Sequence, residues 1–137
     1  MMAWLRPVMV LLPMAVAQTS LAQPPSASGV DWSQAQPINV LMADDRFVPD
    51  RLIFRHGVPY QLHLENHGKE LHEFTAPAFL ADAVVRDPGA LANGGQDVVL
   101  QPGVAADIYL MPLKPGTYRL ICAEHDWDGM IGEIIVE

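Results

Sequence analysis

The sequence predicts an all-β protein folded as a Greek-key β-sandwich with one short helical excursion, and three observations carry that expectation. Apolar residues recur with a period of two in short runs from residue 37 onward. Glycine- and proline-rich turns bound those runs at the spacing of a sandwich. Once the first 22 residues are set aside about 115 remain, enough for one core and too few for two. No internal repeat competes with that reading.

In chain order, an export signal comes first. Arg6 gives a short basic start, residues 7–17 are apolar and uncharged, and Ser20-Leu21-Ala22 supplies small residues for cleavage ahead of Gln23. The apolar run is shorter than the roughly 20 residues that a membrane helix needs, so residues 1–22 are expected to be a signal peptide. No cysteine lies at the cleavage point and no Arg-Arg pair precedes the run, which argues against a lipid anchor and a twin-arginine route. The expected location is the periplasm, with no membrane span after cleavage. Residues 23–36, rich in Pro, Ser, Ala and Gln, are expected to be a flexible lead-in, and 37–137 the folded domain.

The strands follow. Ile38, Val40 and Met42 share a face, as do Leu52 and Phe54, and Tyr60, Leu62 and Leu64 alternate cleanly with Gln61, His63 and Glu65. Val98 with Leu100, and Ile108 with Leu110, continue the pattern. Tyr118, Leu120 and Cys122 fall on one face, and Met130, Ile134 and Val136 fall in phase on the last strand. His56-Gly57, Asn66-His67-Gly68, Gln101-Pro102-Gly103 and Lys114-Pro115-Gly116 mark the turns between them. Residues 78–86 read as the helical excursion, ended by Asp87-Pro88-Gly89.

Charge narrows the partners. Sixteen acidic residues stand against eight basic ones, and loss of Arg6 with the signal takes the net charge near −9. Such a surface repels nucleic acid and anionic membranes and suits a basic partner. Nothing in the chain calls for more than a monomer.

Cys122 is the only cysteine in the 137 residues, so the chain can form no internal disulfide. A bare thiol in an oxidising compartment is a liability unless something holds it. The segment CAEHDWDGM places Cys122, His125 and Met130 at the spacing C-x2-H-x4-M. Thiolate and thioether are soft donors and imidazole suits copper, so the trio points to copper before other metals. Strand phase turns Cys122 and Met130 inward, and the loop between them carries His125 across one pole of the sandwich.

A fourth donor must come from another strand. His63 lies on the polar face of its strand, and His56 and His67 sit beside glycine in turns. His72 lies between Leu71 and Phe74, close to the core, and is the expected fourth ligand. Ala123, Trp127 and Ile131 are expected to screen the site from water, with ordinary loop packing as the other reading of Trp127. Glu124, Asp126 and Asp128 ring His125 with negative charge, as a docking rim or a solvated loop.

These residues together resemble the cupredoxins, the blue-copper proteins, of the small exported plastocyanin and pseudoazurin kind. Besides C-x2-H-x4-M, the resemblance rests on Phe47-x-Pro49-x-x-Leu52-x-Phe54-x-x-Gly57, on His72-Glu73-Phe74, and on Gly129-Met130-x-Gly132 before Ile134-Ile135-Val136. It covers nearly all of residues 38–137. It implies a cupredoxin-like sandwich holding one copper that cycles between Cu(I) and Cu(II), with His72, Cys122 and His125 as ligands and Met130 as the axial one. An Asn often follows the first histidine in plastocyanin-like relatives and ties the ligand loops together. Here Glu73 stands in that place, so the lock between the loops must differ, and its carboxylate lies beside the site.

The function this implies is one-electron carriage between periplasmic redox proteins, a basic c-type cytochrome being one such partner. The alternative is copper binding for tolerance or delivery, with a copper-handling partner. The lead-in contains no His and no Met, which leans towards electron transfer. A multicopper enzyme would need many more imidazoles than the five histidines here, so no enzymatic activity is expected.

Overall fold

A computed structural model describes residues 22–137; the expected signal peptide, residues 1–22, lies outside the described residues except for Ala22. The chain forms ten strands: β1 (Gln36–Ala43), β2 (Arg46–Val48), β3 (Arg51–Phe54), β4 (Tyr60–Asn66), β5 (His72–Thr75), β6 (Ala83–Val85), β7 (Asp97–Leu100), β8 (Ala105–Pro112), β9 (Gly116–Ile121) and β10 (Ile131–Val136). One sheet has the order β2-β1-β4-β8-β6 and the other β3-β10-β9-β5-β7. β1 pairs in parallel with β4, and β3 with β10, while the remaining pairs are antiparallel. Neighbours in space are therefore mostly not neighbours in sequence, and the chain crosses repeatedly between sheets as a Greek-key sandwich requires.

The period-two pattern does what it implies. Val40 and Met42, Tyr60, Leu62 and Leu64, and Ile108 and Leu110 face inward from the first sheet. Leu52, Phe54, Leu120, Ile134 and Val136 meet them from the second. Phe54 sets its ring edge-on to Tyr60 at 4.9 Å, and Phe47 to Phe74 at 6.2 Å. Each buried phenylalanine contributes about 1.5–3 kcal/mol of hydrophobic stabilisation. This makes the sandwich a rigid frame for whatever its poles carry.

The helical excursion is shorter than the sequence suggests. A helix, α1, spans Pro77–Ala81, with its proline in the first turn where no amide hydrogen bond is lost. Residues 83–85 leave it and become β6, an edge strand in which Val84 pairs opposite Met111 and Val85 opposite Leu110. Two adjacent β-branched residues fit a pleated edge better than a second helical turn. A single 3₁₀ turn, Pro88–Ala90, follows. Within the lead-in, 3₁₀ turns at Ala27–Gly29 and Trp32–Gln34 bring the Trp32 ring edge-on to Tyr109 at 6.4 Å.

Because β1 and β4 run in parallel, both end at the same pole. β9 also ends there, and β5 and β10 start there. His72 opens β5, Cys122 follows β9 and Met130 precedes β10, so the topology collects residues from distant parts of the chain at one end.

Candidate metal centre

The ligand loop folds through its own backbone. The Cys122 carbonyl accepts from the His125 amide at 3.0 Å, and the His125 carbonyl accepts from Asp128 at 3.1 Å and Met130 at 3.2 Å. Gly129 closes the turn with φ +88°, a left-handed conformation that costs glycine nothing. The Cys122 amide then donates to the Met130 carbonyl at 3.0 Å, so the two sulfur residues sit across one rung of the β9–β10 pair. Both side chains, like that of His72, are fully buried.

Of the four donors that the sequence nominates, the structure clusters His72, Cys122 and His125, with Met130 buried next along the ligand loop. One ligand atom each from His72, Cys122 and His125 lies within 4.8 Å of the other two. The Cys122 Sγ stands 3.8 Å from His72 Nδ1 and 3.5 Å from His125 Nδ1. Two donors at metal–nitrogen and metal–sulfur lengths of about 2.0 and 2.3 Å, spread by 110–120°, stand about 3.5–3.7 Å apart. The residues therefore fit a soft, borderline metal ion. Burial pushes the Cys122 thiol up, only partly opposed by the backbone amides of Glu73, Glu124 and His125. A metal must displace that proton, so occupancy at this site strengthens as pH rises.

The outer edges of both imidazoles are held by carboxylates that the sequence analysis did not single out. His72 Nε2 lies 3.2 Å from Asp44 Oδ1, and His125 Nε2 lies 2.6 Å from Glu70 Oε2. Both contacts leave Nδ1 facing the sulfur, and such partners orient a ligating histidine and raise its basicity. The Lys69 amide, with His72 next, holds the Asp44 carboxyl below the usual carboxylate range. Gly68 lies against this pair, where a Cβ would come 2.6 Å from His72 Nε2 and closer still to Asp44.

Asn66, read from sequence only as a turn residue, is buried and locks the first-histidine loop. Its amide donates to the carbonyls of Glu70 at 2.8 Å and Leu100 at 2.9 Å, and its oxygen accepts from the Gly68 amide at 2.9 Å. The second lock is the main-chain amide of Glu73, which donates to Cys122 Sγ at 3.3 Å. The Glu73 side chain is only 8 % exposed and its Oε2 has no partner. Burial, then the charges of Asp97 and Glu124, raise its pKa, while the Ala123 amide pulls the other way.

The screen expected of Ala123, Trp127 and Ile131 is not made by buried side chains, and Ala123 is exposed. Trp127 is 78 % exposed and bonds only the Glu124 carbonyl through its indole N–H, and Ile131 is 51 % exposed. Both side chains stay largely in solvent, Trp127 on the 3₁₀ turn Asp126–Asp128 and Ile131 at the start of β10. Water is excluded by the depth of Cys122, Met130 and His72, while His125 alone reaches the surface. The other three histidines lie elsewhere: His56 bonds the Glu137 carbonyl, and His63 and His67 bond carboxylates on the outer face of β4.

Residues 8–136 match the cupredoxin-like domain family, and the chain belongs to it. No curated protein matches the chain. Among solved structures, auracyanin B shares 18 % identity at a TM-score of 0.59, over 79 % of this chain and 93 % of its own. A dithionite-reduced auracyanin from the photosynthetic bacterium Roseiflexus castenholzii shares 16 % identity at 0.57, over 75 % and 98 %. A single-site variant of amicyanin in its reduced Cu(I) form shares 19 % at 0.50, over 84 % and 92 %. At these identities the likeness is one of fold.

Proposed function

We propose that this protein is an exported one-electron carrier whose His72, Cys122, His125 and Met130 hold a single copper ion, Met130 as the weak axial ligand. The observation that carries the reading is a buried thiol with the Nδ1 atoms of two imidazoles turned on it at 3.5 and 3.8 Å. The amicyanin compared above is a Cu(I) form, which supports the same metal in this fold. When bound, copper supplies a one-electron couple. The chain's part is to hold the donors still: the sandwich fixes Cys122 and Met130, Asn66 fixes the His72 loop, and Asp44 and Glu70 fix the two rings. A pre-set ligand frame needs little rearrangement when one electron arrives or leaves.

Export rests on the N-terminal sequence, and among the described residues no helix is long and apolar enough to cross a membrane. His125 is the ligand nearest solvent, and Glu70, Glu73 and Glu124 line a depression of about 490 Å³ beside it. That acidic mouth suits a basic redox protein of the periplasm, and electrostatic steering at such a rim acts mainly on the association rate. We infer carriage and not turnover of a substrate.

The test is an anaerobic titration of the copper-loaded protein with basic c-type cytochromes, following the visible charge-transfer band. Electron exchange that slows with added salt supports the carrier. A protein that binds copper, exchanges with no redox partner and protects cells from copper is a tolerance or delivery protein instead.

A further inference from the structure

The outer face of the first sheet carries a second cluster of metal-ligating side chains. Alternation along β4 turns Gln61, His63 and Glu65 outward. His67 stays in phase because its amide donates to the Met42 carbonyl at 2.9 Å, extending the β1–β4 ladder by one rung. Asp107 on β8 lies directly opposite His63. His63 Nδ1 is 2.7 Å from Asp107 Oδ1, His63 Nε2 is 2.9 Å from Glu65 Oε1, and the other Glu65 oxygen bonds His67 Nε2.

This arrangement is short of one cation. A neutral imidazole donates from one nitrogen and accepts at the other, yet both nitrogens of His63 face carboxylates that only accept. No lysine or arginine occurs on β1, β4 or β8. Either a second proton or a metal ion must stand between His63 and Glu65. At about 2.0–2.2 Å each, two donors on one ion stand about 2.8–3.1 Å apart at the right angles of a tetragonal ion and about 3.3–3.6 Å apart on a tetrahedral one. The 2.9 Å present fits the first and opens by about half an ångström for the second. Asp107 on the opposite nitrogen then occupies the place of the carboxylate that orients a metal-bound histidine.

We propose that His63, Glu65 and His67 form a second metal site for a borderline divalent cation, Zn(II) or Cu(II), with Asp107 as the residue positioning His63. The mixed nitrogen and carboxylate donors favour these ions over magnesium or calcium. His63 and Glu65 are set at ligand spacing, and His67, more than half exposed, completes the set by side-chain rotation. A depression of about 460 Å³ lined by Asn39, Leu41, Val48, His63 and Glu65 leaves room for water ligands. The site is independent of the copper centre and does not rest on the carrier function.

The experiment is calorimetric titration of the copper-loaded protein with Zn(II) at about pH 7.5, above the ordinary histidine range. One equivalent is expected to bind without change in the copper band. His63→Ala and Glu65→Gln should each weaken it at least about tenfold, and Asp107→Asn by about 10- to 100-fold, all with the band intact. The same titration in the Cys122→Ala background reads this site even if the first centre proves not to be copper. Absence of a Zn(II) equivalent, or an equivalent that survives both His63→Ala and Glu65→Gln, overturns the proposal.

Discussion

The main-chain amide of Glu73 donates to the Sγ of Cys122 across 3.3 Å, joining the start of β5 to the end of β9 through the sulfur itself. A hydrogen bond to a ligating sulfur withdraws electron density from it and tunes the metal. Since the donor is backbone, any residue but proline at this position supplies it. The loops are thus tied without the asparagine that often follows the first histidine, and Asn66, six residues upstream of His72, supplies the side-chain lock.

Cys122→Ala should abolish the visible band and His72→Ala should remove or strongly shift it. His56→Ala and His67→Ala should leave it unchanged, since their rings bond the Glu137 carbonyl and Glu65. Cys122→Ala should keep the sandwich folded, at a cost of about 1 kcal/mol for the small cavity, read by urea denaturation of the metal-free chain.

Asn66→Ala strands the buried Leu100 carbonyl, the partly buried Glu70 carbonyl and the Gly68 amide. The expected loss is about 2–3 kcal/mol in denaturant unfolding. Asn66→Asp should do no better, because a carboxylate then faces the same two carbonyls.

Gly68→Ala places a methyl group 2.6 Å from His72 Nε2 and against Asp44. The imidazole must shift, so copper affinity should fall about tenfold or more, measured by competition with a chelator. A variant with unaltered affinity would show that the loop yields instead of the ring.

The pH dependence of stability in the metal-free protein should carry the signature of His63. The Asp107 and then the Glu65 hydrogen bond raise its folded pKa, so its stabilising contribution is fully present below the unfolded value of about 6.5 and fades as pH rises through the folded value. Asp107 and Glu65 are held low mainly by His63, and their contribution, present above about pH 4, is lost on further acidification. Stability from this cluster should peak between those limits. His63→Ala should flatten the profile on both sides in urea titrations with chelator present.

Met130→Leu should keep copper and raise the reduction potential, because loss of a weak axial donor disfavours Cu(II) relative to Cu(I). Neutralising Glu124, Asp126 and Asp128 should slow association with a basic redox partner at low salt. The difference should shrink where the Debye length falls to about 8 Å or less. Rim variants that exchange electrons as fast as the parent at low salt would exclude steering by this loop.

What the sequence determined by itself was local and periodic. Alternation along each run set which side chains face inward, and the short spacing C-x2-H-x4-M put a thiol, an imidazole and a thioether on one hairpin. His72 was legible because its neighbours Leu71 and Phe74 marked it as close to the core. What tertiary structure decided lies between residues far apart in the chain. Asp44 meets His72 across 28 positions, Glu70 meets His125 across 55, and Asp107 meets His63 across 44. Each of those contacts depends on which strands pair across the fold, and a local pattern does not name a partner distant in the chain. The same reason explains residues 83–85, whose apolar run reads equally as helix or strand until β8 offers an edge to pair with. It explains Trp127 as well: an indole in a short loop is buried or exposed by the direction of one turn, which only the closed loop around Gly129 sets.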